Sequence, residues 1–228
     1  LNLTRFVTYP STPQAKPDTG ALGETARAAA RMLDNVYDVS GFPLPQQAQA
    51  ARSSRRIGLG ITGLADALIM LGLPYDSLHA RRVASDAMRT VTEAAYWASV
   101  EAAREKGTFP LYDSERYLAA PFVHGLPPEL LAAIERNGVR NSHLTAIAPA
   151  GTISLLAGNV SSGLEPVYAL QYDRGVREPD GSIVTVPVEC YALAEYVRIK
   201  GDEAPLGDAF VTMADVGADA ELQMESAL

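Results

Sequence analysis

The sequence of 228 residues is poor in the residues that several classes of protein require. It has one cysteine, Cys190, so it can form neither an internal disulfide nor a cluster of thiolates around a metal, and this usage is typical of a reducing compartment. No window approaches the roughly 20 apolar residues of a membrane-spanning helix. No basic segment followed by an apolar core indicates a secretory signal. We therefore expect a cytoplasmic protein with no membrane partner.

Positive charge and histidine are also scarce. The 19 Lys and Arg residues against 27 Asp and Glu residues give a formal charge of -8 at pH 7, which argues against a nucleic-acid partner because binding along a nucleic-acid backbone requires clustered Lys and Arg. His79, His124 and His143 are scattered, with no carboxylate or cysteine at ligand spacing, so we expect no metal site. The balance of 47% hydrophobic and 20% charged residues is typical of a globular protein that can bury a sizeable core.

Apolar residues at helical spacing are abundant along the chain. They predict helices over residues 22–39, from about 61 to 72, and over residues 79–106, 127–137 and 191–200. Segments rich in β-branched and aromatic residues predict short strands at residues 1–9 and 144–148, and a hairpin in which residues 165–177 and 183–188 flank the turn Asp180-Gly181. Helices separated by short strands predict a helix-rich α/β architecture.

Gly58, Gly60 and Gly63 form a Gly-x-Gly-x-x-Gly pattern, which occurs in dinucleotide-binding loops. Such loops follow a buried strand, and an acidic residue ends a second strand about 20 positions further on. Here the glycines follow Ala-Arg-Ser-Ser-Arg-Arg and precede a predicted helix. We therefore interpret them as sites of close helix packing rather than as a cofactor loop.

The segment LTAIAPAGTISLLAGNVSSGLEP, residues 144–166, carries the clearest functional signal. Residues 149–153 form a predicted turn between a strand and a helix, where the first N–H groups of a helix lack internal partners and attract anions. Gly151 allows a ligand to approach the backbone, and Thr152 and Ser154 add hydroxyl donors. A structural turn uses the same residue types, so anion binding and a purely structural role both remain open on this evidence.

A second glycine-containing loop, residues 158–163, follows closely and ends at Glu165-Pro166. Two such loops around a short apolar segment predict the wall of a site. Glu165 is equally compatible with a hydrogen bond to the loop backbone and with ligand contact, and Asn141 and Ser142 are candidates to support the loop. Asp66, in the predicted helix after the glycines, is expected to have a structural role, facing solvent or capping a neighbouring segment.

Four segments of the chain, in order, resemble the large catalytic subunits of ribonucleotide reductases, most closely the adenosylcobalamin-dependent class II enzymes. They are LDNVYDVSGFPLP from residue 33, RRIGLGITGLADALIMLGLPYDS from residue 55, EKGTFPLYD from residue 105, and RNSHLTAIAPAGTISLLAGNVSSGLEPVYAL from residue 140. The resemblance covers nearly all of residues 1–228. It implies a single partial domain, the C-terminal half of a ten-stranded α/β barrel, truncated at both ends.

In that family the Ala-Pro-x-Gly-Thr-Ile-Ser loop holds the phosphates of the substrate, a ribonucleoside di- or triphosphate. The matching positions of the loop itself are Pro149, Ala150, Gly151, Thr152, Ile153 and Ser154. Ala150 stands where class II enzymes commonly have Thr, which removes one hydroxyl donor. Backbone N–H donation does not depend on that side chain, so we expect the loop to keep its role.

The resemblance also implies a reaction, the replacement of the ribose 2′-hydroxyl by hydrogen. Adenosylcobalamin generates a thiyl radical, and two further cysteines become a disulfide that an external thiol such as a thioredoxin reduces. The family's cysteines would lie before Leu1 and beyond Leu228, and Cys190 matches none of them, so we predict that it is a packed residue. We expect no catalytic residue in this chain, no reductase activity from it alone, and the rest of a reductase chain as its partner. Unpaired strand edges of a half-barrel also predict self-association, as in a homodimer.

Two alternatives remain open. The iron-dependent class I large subunit shares the barrel, although its loop typically carries more Ser and Thr than the Gly-Thr-Ile-Ser sequence found here. A non-catalytic nucleotide-binding or assembly module would bind phosphate without performing chemistry. An Asn-x-Cys-x-Glu motif upstream and a cysteine pair downstream would distinguish the enzyme from the module.

Overall fold

The computed structural model describes residues 1–228, and most of its regular structure is helical. After a short 3₁₀ helix (Leu3–Phe6), the helices in chain order are α1 (Thr19–Val39), α2 (Pro45–Ser54), α3 (Leu64–Met70), α4 (Leu78–Lys106), α5 (Ser114–Leu118), α6 (Pro121–His124), α7 (Pro128–Asn137), α8 (Gly151–Leu156), α9 (Tyr191–Lys200) and α10 (Ala218–Ala227). The strands are β1 (Val7–Thr8), β2 (Lys16–Pro17), β3 (Gln171–Arg177) and β4 (Ile183–Glu189). None of the helices has both the length and the apolar character that a membrane-spanning helix needs.

The predicted helix-rich α/β class is confirmed, but the chain contains no closed sheet. β1 pairs with β2 and β3 pairs with β4, giving two separate antiparallel sheets of two strands. Parallel pairing occurs only at three isolated bridges, Asn2–Thr62, Leu59–Thr145 and Val167–Thr212. The strands predicted at residues 1–9 and 144–148 are therefore wrong as continuous elements. Parallel strands are stable when neighbours pair along them, and here the extended segments share only a few backbone hydrogen bonds, such as Leu3 N to Thr62 O and Leu59 N to Leu144 O, which do not continue into a ladder.

The chain divides into two compact units. The first unit comprises Leu1–Asp18, Ile61–Asp86 and Ala148–Leu228, and the second comprises Thr19–Gly60 and Ala87–Ile147. Helix α4 begins in the first unit and continues into the second.

Helix α3 forms the centre of the first unit. All seven of its residues are buried, and it packs against α9 and the 3₁₀ helix. Gly63 precedes it in the left-handed conformation, with φ 71°, which a residue with a side chain rarely adopts. The predicted hairpin is confirmed: β3 and β4 pair in register from Gln171 with Glu189 to Arg177 with Ile183.

The second unit is held by a buried polar network between α1, α4 and two loops. The guanidinium of Arg55 donates to Asp34 Oδ1 at 2.7 and 2.9 Å, and Asn141 Nδ2 donates to the same oxygen at 2.9 Å. Ser99 Oγ donates to Asn141 Oδ1 at 3.0 Å. Arg31 also pairs with Glu105 between the exposed faces of α1 and α4, at 2.6 Å. Asn141, a predicted support for the phosphate loop, thus makes its side-chain bonds inside this network.

The prediction of close helix packing is wrong for Gly58 and Gly60, which pack against the extended segment at Ala146, whereas Gly63 lies against Thr4 of the 3₁₀ helix. Gly58 and Gly60 flank Leu59, which forms the parallel bridge to Thr145. A Cβ atom at Gly60 would lie 2.4 Å from the carbonyl oxygen of Ala146, so the absence of a side chain allows two extended segments to approach.

Candidate functional site

The first unit contains a cavity of about 540 Å³, a volume in the range of sites for small molecules. Gly151, Thr152 and Ser154 of the first glycine-containing loop contribute to its wall. The second loop contributes Asn159 together with Ser161 and Ser162. The two loops that the sequence predicts as one wall therefore line the same cavity.

Three backbone N–H groups of the first loop have no hydrogen-bond acceptor within the chain. Ala150 N donates to Ser162 O at 2.9 Å, and Ala150 O accepts from Ser154 N at 2.7 Å, so both backbone groups of Ala150 are occupied. The N–H groups of Gly151, Thr152 and Ile153, at the start of α8, have no acceptor within the chain. A Cβ atom at Gly151 would meet nothing within 4 Å, so there is open space beside these donors.

The predicted loop residues differ in what their side chains do. Thr152 lines the cavity, and its hydroxyl makes no hydrogen bond within the chain. Ser154 is buried and its Oγ donates to Gly151 O at 2.8 Å, which fastens the first turn of α8. Pro149, Ala150 and Ile153 do not line the cavity, and the Ile153 side chain is 66% exposed. The loop can therefore bind a ligand mainly through its backbone and Thr152.

The second loop is held in place by bonds to β4 and β3. Asn159 has a left-handed backbone, with φ 61°. Its Nδ2 donates to Glu189 O at 2.8 Å, and its Oδ1 accepts from Tyr172 OH at 3.0 Å. These bonds fix the loop beside the hairpin, on the side of the cavity that Tyr172 lines.

Glu165 is the one acidic residue of the cavity wall. Its Oε2 accepts from Ser162 Oγ at 3.4 Å, a long hydrogen bond within the second loop. Both predicted roles of Glu165, loop support and ligand contact, are thus geometrically available. Asn141 and Ser142 lie in the second unit, where Ser142 Oγ and His143 Nδ1 are 3.1 Å apart, and neither lines this cavity.

Three residues of the hairpin region that the sequence did not single out also line the cavity. Arg174 is the only cationic residue of the wall, and its side chain forms no ion pair or hydrogen bond within the chain. Tyr168, 69% exposed, and Tyr172 form an edge-to-face ring pair with centroids 5.5 Å apart. Alternation along a strand places Tyr172 and Arg174 on one face, which is the signal from which they could have been found.

Cys190 also borders the cavity but is not poised for chemistry. Its side chain is buried, and burial, reinforced by the nearby charge of Asp66, raises the pKa of the thiol to about 12. Since the thiolate is the reactive form, the thiol is inert at neutral pH. No three His, Cys, Asp or Glu side chains come together in a way that could hold a metal ion.

Comparison with known proteins places the chain in a family. The sequence model described as "Ribonucleotide reductase, barrel domain" matches residues 1–199, which include both loops and the hairpin. The chain belongs to the ribonucleotide reductase barrel family. The resemblance read from the four sequence segments is thereby confirmed.

Relatives in the ribonucleotide reductase family cover most of the chain. It is 39% identical over 177 residues to a vitamin B12-dependent ribonucleoside-diphosphate reductase of Mycobacterium tuberculosis, covering 77% of this chain and 22% of that protein. A protein of the same name from Thermoplasma acidophilum is 36% identical over 178 residues, covering 77% and 20%. The ribonucleoside-diphosphate reductase large chain of Neurospora crassa is 30% identical over 194 residues, covering 81% and 20%. The chain spans about a fifth of the length of these relatives.

Proposed function

We propose that this chain is a segment of a ribonucleotide reductase, which converts ribonucleotides to 2′-deoxyribonucleotides by thiyl-radical chemistry, and that its cavity holds the substrate phosphates. The observation that carries the proposal is the set of unpaired backbone donors at the start of α8, namely the N–H groups of Gly151 and Thr152, which line the cavity, and that of the adjacent Ile153. Backbone donors at the start of a helix suit the oxygens of a phosphate, and the unpaired guanidinium of Arg174 adds a positive charge.

The other polar groups of the wall fit the sugar better than the phosphates. Glu165 carries a negative charge that repels phosphate, so the anion is expected nearer to Gly151 and Arg174. A carboxylate accepts hydrogen bonds from hydroxyl groups, and Ser162 beside it offers both a donor and an acceptor. This distribution matches a phosphorylated sugar more closely than an isolated anion.

The barrel architecture is part of the same proposal. We propose that the segments joined by the parallel bridges Asn2–Thr62 and Leu59–Thr145 are strands of the ten-stranded barrel, within one partial domain over residues 1–228. The rest of the reductase chain would supply neighbours for the open edges of these segments.

Class II is the subtype that the relatives favour. Identity is 36 to 39% to the vitamin B12-dependent enzymes and 30% to the Neurospora crassa large chain. We propose a ribonucleoside diphosphate as substrate, an external thiol such as a thioredoxin as reductant, and the cytoplasm as location. The donors at the cavity support phosphate binding in an enzyme and in a non-catalytic nucleotide-binding module alike. An activity measurement on the complete reductase chain therefore distinguishes these two alternatives, and the arrangement of the donors does not.

Adenosylcobalamin would supply the radical by homolysis of its cobalt–carbon bond in the complete reductase. The residues of this chain do not outline a site for it. The candidate cavity and a second cavity in the second unit are about 540 Å³ each, the size of a drug-sized ligand, and a corrinoid with its nucleotide tail is several times larger. No histidine lines the candidate cavity, and Cys190 is buried.

The test is a titration of the ¹⁵N-labelled chain with inorganic pyrophosphate and with a nucleoside diphosphate. We expect the amide signals of Gly151, Thr152 and Ile153 to move for both ligands. Thr152→Val, which removes only the hydroxyl, is expected to weaken binding by about three- to tenfold, the effect of one hydrogen bond. Thr25→Val, the same change at an exposed position of α1, should leave binding unchanged. Movement of other amides while those three stay still would refute the assignment.

A further inference from the structure

Asp66 is a fully buried carboxylate that does not line the cavity, so it cannot contact a bound phosphate directly. It lies in the first turn of α3 with 0% of its surface exposed, and no Lys, Arg or His forms an ion pair with it. Its partners are backbone donors instead: Oδ2 accepts from Ser161 N at 2.7 Å, and Oδ1 accepts from Ala192 N at 2.9 Å. Burying a carboxylate without a counter-charge is unfavourable, and burial raises the pKa of Asp66, so the hydrogen bonds from Ser161 and Ala192 are what stabilise its charged form.

The first of these bonds fixes the second loop of the cavity to α3. Ser161 is held at three atoms: its N–H donates to Asp66, its O accepts from Gly63 N at 2.7 Å, and its Oγ accepts from Ala65 N at 3.2 Å. Two of these bonds also satisfy N–H groups at the start of α3 that have no partner within the helix. Ser161 therefore has little freedom to move relative to α3.

From Ser161 the constraint continues into the loop with the unpaired donors. The next residue, Ser162, accepts from Ala150 N at 2.9 Å, and the preceding residue, Val160, donates to Ser154 O at 3.2 Å. Ala150 is the residue immediately before Gly151. One hydrogen bond on each side of Ser161 thus connects the segment held by Asp66 to the turn that presents the N–H groups of Gly151 and Thr152.

The second bond of Asp66 fixes the end of the hairpin. Ala192 lies in the first turn of α9, which follows β4 through Cys190, and Cys190 itself makes no side-chain capping bond. The carboxylate therefore acts as the capping acceptor for α9. This places the point where β4 ends at a fixed distance from the second loop, and β4 is the strand that pairs Val186 with Arg174.

We propose that Asp66 is a positioning residue for the cavity. By accepting from Ser161 and Ala192 it holds the second loop, the turn before α8 and the base of the hairpin in the arrangement that binds the phosphates. The proposal rests on the proposed function of the cavity. It also requires a carboxylate in particular, because two converging N–H donors need two acceptor oxygens. Asparagine has one oxygen, and its NH₂ group would face a second donor.

The test compares Asp66→Asn with Asp34→Asn in the 228-residue chain. Asp34 is also fully buried and hydrogen-bonded, but it lies in the second unit, so it controls for the loss of any buried carboxylate. Both variants are expected to lower the thermal unfolding midpoint. At a temperature where both are folded, only Asp66→Asn should weaken pyrophosphate binding, by about tenfold, the equivalent of one charge-assisted hydrogen bond. It should also shift the amide signals of Ser162 and Gly151 in the free protein.

Wild-type affinity for pyrophosphate in a folded Asp66→Asn variant would overturn the proposal. If that variant does not fold, hydrogen exchange of the unmodified chain decides. Pyrophosphate should slow exchange of the Ser161 and Ala192 amides, and an unchanged rate at both, with binding seen at Gly151 and Thr152, would also overturn it. Failure of the wild-type chain to bind pyrophosphate at those amides is a different result, because it rejects the proposed function on which this inference rests.

Discussion

Among single residues, Arg174 has the largest effect on the charge of the cavity. It is the only cation of the wall, opposite in sign to Glu165, and nothing in the chain neutralises it. Arg174→Gln keeps most of the length and hydrogen-bonding capacity but removes the charge. We expect pyrophosphate to bind about tenfold more weakly, since charge-assisted hydrogen bonds are roughly twice as strong as neutral ones. Calorimetric titration at low and high salt measures this, and the loss should be larger at low salt.

Arg177→Gln is the matched control for that experiment. Arg177 lies three residues further along β3, on the opposite face of the strand, and it does not line the cavity. An equal loss of affinity in both variants would mean that only the net charge of the hairpin matters, and the role assigned to Arg174 would be wrong.

Asp34 is a residue whose removal should affect stability rather than binding. Burial acts to raise the pKa of Asp34, but hydrogen bonds from Arg55 and Asn141 outweigh it and hold the pKa below its usual value. Asp34→Ala would leave Arg55 buried without its main partner. We expect a loss of about 3–5 kcal/mol in the free energy of unfolding at pH 7, measured by urea titration followed by circular dichroism.

The pH dependence gives a second readout for Asp34. A carboxyl whose pKa is lower in the folded state stabilises the protein above its unfolded pKa, and this stabilisation is lost as the pH falls through the folded pKa. The wild-type chain should therefore lose this contribution on acidification below the ordinary carboxyl range, whereas Asp34→Ala should lack it. Asp38→Ala is the control, because Asp38 is half exposed and meets Arg55 only at 3.4 Å, so a loss of at most about 1 kcal/mol is expected.

Among single residues, the sequence identified those within one loop more easily than those that the fold brings to the site from distant segments. Gly151, Thr152 and Glu165 were predicted from local turn chemistry, and each lines the cavity. Alternation along β3 puts Arg174 on the same face as Tyr172, but that this face lines the cavity depends on where the hairpin packs, which the local sequence pattern does not contain. The two hydrogen bonds of Asp66 reach Ser161, which is 95 positions away in the sequence, and Ala192, which is 126 positions away. Sequence spacing does not reveal contacts over such separations.

At the scale of elements, the long helices were predicted and the parallel strands were not. Helices α1, α4 and α9 have their hydrogen bonds inside themselves and an apolar face at a period of 3.6, so residues near in sequence determine them. Helix α2 was missed because none of its residues is buried, which removes the apolar period. The segments at residues 2, 59 and 145 depend on distant partners, and here they form single bridges.

The start of α3 offers a test of element geometry. Gly63 and Gly72, before and after the helix, both have left-handed backbones, with φ of 71° and 73°. A Cβ atom at Gly63 would lie 2.7 Å from Asn2 Oδ1, whereas one at Gly72 meets nothing within 4 Å. We expect Gly72→Ala to cost about 1 kcal/mol through backbone strain alone, and Gly63→Ala about 1–3 kcal/mol more through crowding. Urea unfolding of both variants measures the difference, and equal losses would show that Asn2 moves aside freely.

At the scale of the whole molecule, charge and exposed apolar surface oppose each other. The formal charge of -8 at pH 7 disfavours contact between copies at low ionic strength. The hairpin favours it, because β3 and β4 each have an unpaired edge and the face that carries Tyr172 and Arg174 also carries Val176, Val184 and Val186, which are 40 to 45% exposed. Salt screens the charge without weakening the apolar contact, so the balance should shift toward association as salt is added.

We therefore expect the chain to self-associate weakly through the hairpin, more at high salt than at low salt. Sedimentation velocity over a range of protein concentrations measures this directly. Val184→Lys and Val186→Lys place a charge on the apolar face and should keep the chain monomeric at high salt. Thr185→Lys adds the same charge on the opposite face of β4, so it should associate like the wild type. If all three lysine variants associate as the wild type does, the valine face is not the contact, and the strand edges or another surface must account for the association.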